Sequence, residues 1–308
     1  MRKLRIGSRG SALALWQANF VRERLTARSV DTEIVIIKTS GDRFQQGNVG
    51  QIGVKGVFIK ELEDALLEER VDLAVHSMKD VPTELPAGLA ITAILERQDV
   101  RDSLISGSGK KLAELPAGAR VGTSSLRRAA QLRRFRRDLD LQELRGNVDT
   151  RLRKVEQGQY DAILLAKAGL DRLGWSDRIT EVIPPEICLP AVGQGAIGIE
   201  SRDSDTEVGQ TLAALDHADT RAGVTAERAV LAELEGGCQV PLGAWGRLED
   251  GKLVLDACVL SADGQECLRD RATGAASDAE HLGRDLARRM LDAGAGRILK
   301  LAGRNIGD

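Results

Sequence analysis

The sequence has few aromatic residues and little net charge, and each shortage excludes a class of protein. Phe, Trp and Tyr make up 3% of the 308 residues, which disfavours a platform that stacks the bases of single-stranded nucleic acid. The formal net charge is −2, so the whole chain has no basic field that would hold DNA or RNA. The composition, 42% hydrophobic and 29% charged, is that of a soluble globular chain of two or three domains.

Cysteines are also scarce. Cys188, Cys238, Cys258 and Cys267 include no CxxC pair, and a chain of this length needs no disulfides, so a reduced cytoplasmic protein is expected. The N-terminal segment has no sustained apolar run, because Arg9 interrupts it. We therefore expect neither a signal peptide nor a transmembrane helix. The three histidines lie far apart in sequence, and no histidine metal site is expected.

Strand and helix signals alternate along the first two thirds of the chain. A short strand in KLRIG precedes an apolar helical stripe, and EIVIIK, VDLAVHS and LAITAIL have the pattern of further strands. Such alternation is typical of a largely parallel sheet covered by helices. The pattern restarts after Asp99 with DSLIS and ARVGTSS. It therefore predicts two α/β units of about 100 residues each.

The character of the sequence changes after Glu235. LGAWGRL, KLVLDACVL and CLRDRAT are typical of antiparallel strands, and a helix is predicted over about 278–292, which together indicate a small α+β domain. Cys258 lies in an apolar strand, as a buried structural cysteine would. Cys238 lies instead in LEGGCQVPLG, where glycine and proline predict a loop. That thiol could be incidental or reactive, and no histidine is near it in sequence to act as a base.

Small polar loops follow several of the predicted strands. Open α/β sheets bind ligands just beyond their strand ends, where helix N-termini offer N–H groups to anions. If these loops converge, they form a cleft rich in arginine, whose guanidinium fork matches carboxylates and phosphates. The side chains that they would contribute are Arg9, Ser11, Lys79, Ser124, Ser125, Arg127, Arg128, Arg145 and Arg151.

The arginines of RRAAQLRRFRRD divide into two groups. Those in the segment 133–137 have the spacing of a solvated basic helix face. Arg127 and Arg128 differ, because cations at a helix N-terminus oppose the helix dipole and an anionic ligand would offset that penalty. Asp80 could cap a helix or pair with Lys79. In a cleft crowded with arginines it would stay ionised, because nearby positive charge lowers the pKa of a carboxyl group, and it could then stabilise a cationic intermediate.

Eight motifs resemble, in the same order, motifs of the porphobilinogen deaminase (hydroxymethylbilane synthase) family. They are RGSALALWQA, VKGVFIKELE, AVHSMKDVP, VGTSSLRR, LRGNVDTRL, DAILLAKAGLDRLG, LPAVGQGAIGIE and LEGGCQVPLG. The resemblance implies an α/β protein with two domains like the periplasmic-binding-protein type II fold, the second inserted in the first, and a small C-terminal α+β domain. The implied bounds are 1–95 plus 196–215 for the first domain, 96–195 for the second and 216–308 for the third.

The resemblance also implies the chemistry. The chain would be a cytoplasmic, monomeric transferase of tetrapyrrole (haem and chlorophyll) biosynthesis, with porphobilinogen as its substrate and without metal, nucleic-acid or membrane partners. It would deaminate four porphobilinogen molecules, join them head to tail on a dipyrromethane cofactor, and release hydroxymethylbilane by hydrolysis. Cys238 would carry the cofactor through a thioether. Asp80 matches the family's catalytic aspartate, which stabilises an azafulvene-like cation and aids proton transfer to departing ammonia.

The resemblance also explains the many arginines, because each pyrrole carries acetate and propionate side chains whose carboxylates they would bind. The resemblance implies cofactor contacts for Cys238, Lys79, Asp80, Thr123, Ser125, Arg127, Arg128, Arg145 and Gly146. It implies substrate contacts for Arg9, Ser11, Gln17, Phe58, Arg145, Arg151 and Arg172. One departure is Gln51, where some family members have lysine, while Lys55 is kept. The glycine-containing segment 42–56 around them is expected to form a mobile cover over the cleft.

Two other functions fit parts of the pattern. A two-domain solute-binding protein could share this fold, but it would need neither an additional domain nor Cys238, and the export signal that it would require is not expected. A nucleic-acid-binding protein could use the arginines of segment 127–137, although the net charge and the scarcity of aromatic residues disfavour it. Salt-dependent DNA binding without pyrrole chemistry would favour that second alternative.

Overall fold

The structure is a computed structural model. It describes residues 2–39, 59–234 and 240–304. The chain divides into two compact units, the first made of Met1–Arg97 with Ala196–Arg221, and the second of Gln98–Gly195 with Ala222–Asp308. In the part of the chain that the structure describes, no helix is long and apolar enough to cross a membrane.

A five-stranded mixed sheet forms the centre of the first unit. Its strands are β1 (Leu4–Ser8), β2 (Thr32–Ile36), β3 (Leu73–Ser77), β4 (Leu89–Ile94) and β10 (Ile197–Arg202). Its helices are α1 (Ala12–Thr26), α2 (Lys60–Leu67) and α6 (Thr206–Ala213). The strand order is β2-β1-β3-β10-β4, with β1 parallel to β2 and β3 and with β10 antiparallel to both of its neighbours.

Apolar side chains cover both faces of this sheet. Helix α1 buries Ala18, Val21 and Leu25 on one face, in a cluster that also contains α6 and the residues of β1. Helix α2 packs its buried leucines on the opposite face. Strand β3 shows the alternation directly, because Leu73 belongs to the first cluster and Ala74 to the second. The sheet is therefore a central layer, as the sequence predicted.

The second unit begins with a sheet of the same design. Its strands are β5 (Asp102–Ser106), β6 (Arg120–Gly122), β7 (Asp140–Gln142), β8 (Ala162–Ala166) and β9 (Glu181–Ile183). Its helices are α3 (Leu126–Phe135), α4 (Val148–Glu156) and α5 (Lys167–Arg172). The order is β7-β6-β8-β5-β9, with β6 parallel to β7 and β8 and with β5 antiparallel to its neighbours. The duplication predicted from the sequence is confirmed, whereas the one reversed strand in each sheet was not predicted.

The C-terminal part of the second unit is a three-stranded antiparallel sheet covered by helices. Its strands are β11 (Leu242–Glu249), β12 (Lys252–Leu260) and β13 (Cys267–Gly274). Its helices are α7 (Ala218–Glu233), whose first four residues belong to the first unit, α8 (Ala279–Asp292) and α9 (Ala295–Arg304). The strands and the helix α8 agree with the predicted α+β domain. Cys258 lies on β12 and is 2% exposed, which confirms it as a core cysteine.

Helix α3 packs directly on this C-terminal sheet. Gly264 has a φ of +71°, and a Cβ at that position would overlap the carbonyl oxygen of Ala130 in α3. Arg133 donates through Nη1 to the carbonyl oxygen of Ala262 at 2.7 Å, and Arg134 donates to that of Gln265 at 3.3 Å. The prediction of a solvated basic face is therefore wrong for Arg133, which is half-buried against the β12–β13 turn, whereas Arg134 is exposed, as predicted.

Candidate active site

The turn that carries Asp80 follows β3 directly. Residues Met78–Asp80 form a single 3-10 turn, closed by a hydrogen bond from the Val81 N–H to the carbonyl oxygen of Met78. Met78 is 1% exposed and packs on Gly198, where a Cβ would overlap its sulfur. Asp80 is exposed. With the described residues it forms no hydrogen bond or ion pair, so the alternative pairing with Lys79 is not present.

The end of β1 lies beside this turn at the same edge of the first sheet. Because β1 and β3 are parallel neighbours, the loop after β1, with Arg9 and Ser11, lies at the same sheet edge as Asp80. Ser11 is the N-cap of α1 and accepts a hydrogen bond from Ala14 N–H at 3.3 Å. One edge of the first unit thus presents a cation, a hydroxyl and a carboxylate.

A buried pair of polar side chains on β3 and β10 was not predicted. His76 Nε2 lies 2.9 Å from Glu200 Oε2, and both side chains are buried. Burial raises the pKa of the nearby Glu63, and the charge of Glu200 raises it further. The one sequence feature that could have indicated this pair is a histidine within an apolar strand. Its partner lies on β10, 124 residues away, and sequence spacing does not reveal such a contact.

In the second unit, the loop after β6 presents the predicted hydroxyl residues. Ser125 is the N-cap of α3 and accepts from Arg128 N–H at 3.4 Å, and its own N–H donates to Thr123 Oγ1 at 3.2 Å. Ser124 donates to the carbonyl oxygen of Leu144 at 2.7 Å and accepts from its N–H at 3.1 Å. This pair of bonds joins the loop after β6 to the loop after β7.

Arg127 and Arg128 are buried on an internal carboxylate. Arg127 Nη1 lies 2.7 Å from Asp102 Oδ2, and Arg128 Nη2 lies 2.7 Å from Asp102 Oδ1. Burial alone would raise the pKa of Asp102, but the two guanidinium charges and their hydrogen bonds outweigh it and hold that pKa well below its ordinary value. Part of the anionic partner that the arginines need is thus Asp102, which the sequence analysis missed.

The loop after β7 holds the next group of predicted residues. Gly146 has a φ of +114°, and a Cβ there would lie 2.9 Å from Thr150 Cγ2, so glycine is required by both the backbone and the space. Arg151 donates through Nε to the Gly146 carbonyl oxygen at 2.7 Å. Arg145 is exposed and pairs with Glu143 at 2.7 Å. Because β6 and β7 are parallel, this loop shares the edge of Thr123 and Ser125.

Arg172 is the last residue of α5 and is buried. It is 6% exposed, donates through Nε to Gln98 Oε1 at 2.6 Å, and donates through Nη2 to the Gly195 carbonyl oxygen at 2.8 Å. Burial lowers the pKa of Arg172 to about 10, so the group stays charged at neutral pH. Arg172 therefore ties together the two ends of the segment Gln98–Gly195.

Several predicted residues lie outside the described part of the chain. They are Gln51, Lys55, Phe58 and Cys238, together with the segment 42–56. The structure gives the elements on either side of Cys238, which are α7 and β11. Among the described residues, no group of three or more His, Cys, Asp or Glu side chains could hold a metal ion.

Two family models match the chain. The porphobilinogen deaminase dipyromethane cofactor binding domain matches residues 4–210, and the porphobilinogen deaminase C-terminal domain matches residues 222–292. The porphobilinogen deaminase of Desulforudis audaxviator is 54% identical over 300 residues, covering 97% of each chain. That of Syntrophobacter fumaroxidans is 50% identical over 301 residues, covering 97% of each chain.

The comparison with solved structures gives matches at low sequence identity. The VFT2 domain of BvgS from Bordetella pertussis is 16% identical with a TM-score of 0.41, and the match covers 68% of this chain and 84% of that domain. A periplasmic binding protein with arginine specificity from Salmonella typhimurium is 11% identical with a TM-score of 0.41, and the match covers 70% of this chain and 92% of that protein.

Proposed function

The chain belongs to the porphobilinogen deaminase family, and from that premise we propose which of its residues carry out the family's reaction. The enzyme is a transferase of tetrapyrrole biosynthesis. It joins four porphobilinogen molecules head to tail and releases hydroxymethylbilane by hydrolysis. At each condensation a carbon–carbon bond forms, the carbon–nitrogen bond of the aminomethyl group breaks, and ammonia leaves.

Asp80 is the catalytic residue in this proposal, and its exposed carboxylate at the end of β3 is the observation that carries it. An ionised carboxylate can accept hydrogen bonds from pyrrole N–H groups and stabilise the positive charge that develops as ammonia departs. It can also move a proton toward the leaving nitrogen. The proximity of Arg9 and Ser11, at the same edge, supports a binding site for the substrate's carboxylates there.

The residues present fit the dipyrromethane cofactor of the family. Its acetate and propionate groups need cationic partners, and Arg127 has a buried Nε for which the described residues supply no hydrogen-bond partner. We propose that the cofactor is attached to Cys238 through a thioether. The residues that would hold it are Lys79, Asp80, Thr123, Ser125, Arg127, Arg128, Arg145 and Gly146. When bound, the dipyrromethane supplies the free pyrrole α-carbon to which the first substrate unit is joined.

The substrate and the growing chain would be held by a second set of residues. These are Arg9, Ser11, Gln17, Phe58, Arg145, Arg151 and Arg172. For Arg145, exposure and a surface pair with Glu143 support this role, because such a pair is easily exchanged for a ligand carboxylate. Gln17 also donates to the hydroxyl group of Ser77 at 2.7 Å. That bond, and the hydrogen bonds of Arg172 described above, support a structural role for these two residues as well.

The proposal includes the organisation of the protein. We propose three domains, 1–95 plus 196–215, 96–195 and 216–308, in a cytoplasmic monomer that binds no nucleic acid. The half-buried guanidinium group of Arg133, which donates to a backbone oxygen at 2.7 Å, supports the last point, because it reduces the basic face that a nucleic-acid phosphate could contact. Membership of the enzyme family makes the solute-binding alternative wrong.

Intact mass spectrometry of the purified protein tests the cofactor assignment. We expect a covalent adduct equal to two linked pyrrole units in the wild type. Cys238→Ala should lack it, and the matched control Cys267→Ala, a half-buried cysteine on β13, should retain it. An active wild-type enzyme without the adduct, or an adduct that survives in Cys238→Ala, would contradict the assignment.

A further inference from the structure

A fully buried carboxylate organises a polar network in the second unit. Asp102, the first residue of β5, has no exposed surface. Arg127 Nη1 donates to its Oδ2, and Arg128 donates to its Oδ1 through Nε at 3.0 Å and Nη2 at 2.7 Å. Gln194 Nε2 donates to Oδ1 at 3.0 Å. Each carboxylate oxygen thus faces a different guanidinium group, so one side chain orients both arginines.

The charges of this network do not cancel. Among the described residues, Asp102 is the one carboxylate that forms an ion pair with either arginine. Burial raises the pKa of the neighbouring Cys188 thiol to about 12, so that thiol is neutral and donates to Asp102 Oδ2. Two guanidinium groups and one carboxylate leave a net charge of +1. An uncompensated charge in a buried site is unfavourable, so the site favours a further anion.

The unpartnered Nε of Arg127 is an independent observation that also indicates an acceptor. Arg127 is 4% exposed, and its Nη1 already donates to Asp102 and to the carbonyl oxygen of Leu189 at 2.7 Å. Its Nε is buried without a hydrogen-bond partner among the described residues. Buried N–H groups are rarely left in that state, so both the charge and the hydrogen-bonding capacity favour one anionic ligand.

We propose that Asp102 is a positioning residue for cofactor binding. It holds Arg127 and Arg128 in one geometry and reduces their joint charge to +1, which suits a single carboxylate of the dipyrromethane. The proposal rests on the proposed function, in which these two arginines bind the cofactor. Asp102 does not touch the cofactor itself and acts through the arginines.

The network continues toward the elements that flank Cys238 in sequence. Gln194 also donates to the carbonyl oxygen of Val100 at 2.7 Å. The preceding residue, Gly193, donates its N–H to Glu227 Oε2 on α7 at 2.7 Å, and Gly246 on β11 donates to Glu227 Oε1 at the same distance. Hydrogen bonds thus connect Asp102, through the chain segment 193–194, to both α7 and β11.

The test compares Asp102→Asn with Asp161→Asn. Asp161 lies in the same unit and also binds an arginine, accepting from Arg120 N at 2.7 Å and Nη2 at 2.9 Å, but this pair is partly exposed to solvent. Apoprotein from cells that make no porphobilinogen is incubated with porphobilinogen well below the unfolding temperature of each variant, and adduct formation is followed by intact mass. Asp102→Asn should assemble the adduct about 10- to 100-fold more slowly, the range for removing an outer partner of a binding group.

Asp161→Asn should assemble the adduct at the wild-type rate. If folded Asp102→Asn also assembles the adduct at the wild-type rate, the proposal is overturned. A purely structural residue would affect the stability of the protein and not the rate of adduct assembly in the folded protein. If Asp102→Asn does not fold, Asp102→Glu is tested instead, because it keeps the charge and displaces the carboxylate oxygens by one methylene group. Assembly of the adduct at the wild-type rate in Asp102→Glu would also overturn the proposal. Arg128→Gln distinguishes failure of the proposed function from failure of the positioning role. Normal adduct assembly in Arg128→Gln would contradict the proposed function. Slow assembly in Arg128→Gln together with normal assembly in Asp102→Asn would contradict only the positioning role of Asp102.

Discussion

The side-chain amide of Gln17 donates a 2.7 Å hydrogen bond to the hydroxyl group of Ser77. This bond joins α1 to the last residue of β3, directly before the turn that presents Asp80. Gln17 is 3% exposed, so its buried amide helps to position the end of β3, after which Asp80 follows.

The Gln17–Ser77 bond should be measurable as a coupling free energy. We expect Gln17→Leu to lower the free energy of unfolding by about 1–3 kcal/mol, because a polar partner is left without its hydrogen bond. Ser77→Ala in the same background should then cost less than it does alone, with a coupling of about 1 kcal/mol. Urea unfolding of the wild type, both single variants and the double variant gives the cycle. Strictly additive effects would show that the bond contributes nothing.

Asp80→Asn should separate binding from chemistry. Asparagine has nearly the same shape and keeps hydrogen-bonding atoms, but it carries no charge and cannot accept a proton. We expect kcat to fall by about 10²- to 10³-fold, as when one electrostatic stabiliser of a transition state is removed, with a smaller change in KM. Steady-state kinetics on protein of verified cofactor content measures this. Glu84→Gln, an exposed carboxylate on the same loop, is the matched control, and near-normal turnover of Asp80→Asn would remove Asp80 from the mechanism.

The sequence predicted the elements well because their signals are local. Apolar runs and turn residues mark β1, β3 and β8 and the restart of the pattern after Asp99, and periodicity depends only on neighbouring residues. The signal for the C-terminal sheet was equally local, since seven of the nine residues of β12, KLVLDACVL, are apolar.

The partners within the site could not be predicted, because they meet only in the folded chain. Asp102 appeared as one residue of a strand in DSLIS, and Arg127 lies 25 residues away from it. The sequence analysis expected a ligand to supply the anion that Arg127 and Arg128 need at the start of α3. In the folded chain, Asp102 on β5 supplies one carboxylate to them. The prediction of a solvated basic face on α3 was wrong for Arg133 for the same reason. The β12–β13 turn that accepts a hydrogen bond from Arg133 lies 129 residues further along the chain.

Asp72 should make the stability of the first unit depend on pH. It is buried and accepts from Arg5 N, Nε and Nη2 at 2.8, 3.0 and 2.9 Å. Burial raises the pKa of Asp72, but the hydrogen bonds and charge of Arg5 outweigh this and lower it overall. A depressed folded-state pKa means that the stabilisation is complete above the unfolded-state value of about 3.9 and is lost as the pH falls through the folded-state value.

We therefore expect Asp72→Asn to lower the free energy of unfolding by about 2–3 kcal/mol at pH 7, the range for hydrogen bonds to a charged group. The difference from the wild type should shrink below about pH 4, where the wild-type carboxylate is progressively protonated. Urea unfolding at several pH values measures it. The exposed Asp31→Asn should change little at any pH, and a constant difference for Asp72→Asn would exclude the linkage.

Gly264→Ala should weaken the packing of the C-terminal sheet on α3. Gly264 has a φ of +71°, its added Cβ would overlap the Ala130 carbonyl oxygen, and it would lie 2.8 Å from the Arg134 nitrogen. Gly251 is the matched control, because its φ is +74° and a Cβ there meets nothing within 4 Å. Both variants carry a backbone penalty of about 1–2 kcal/mol, and overpacking should add about 1–3 kcal/mol to Gly264→Ala alone. Thermal and urea unfolding give both values, and equal destabilisation of the two variants would show that this contact with α3 is not tight.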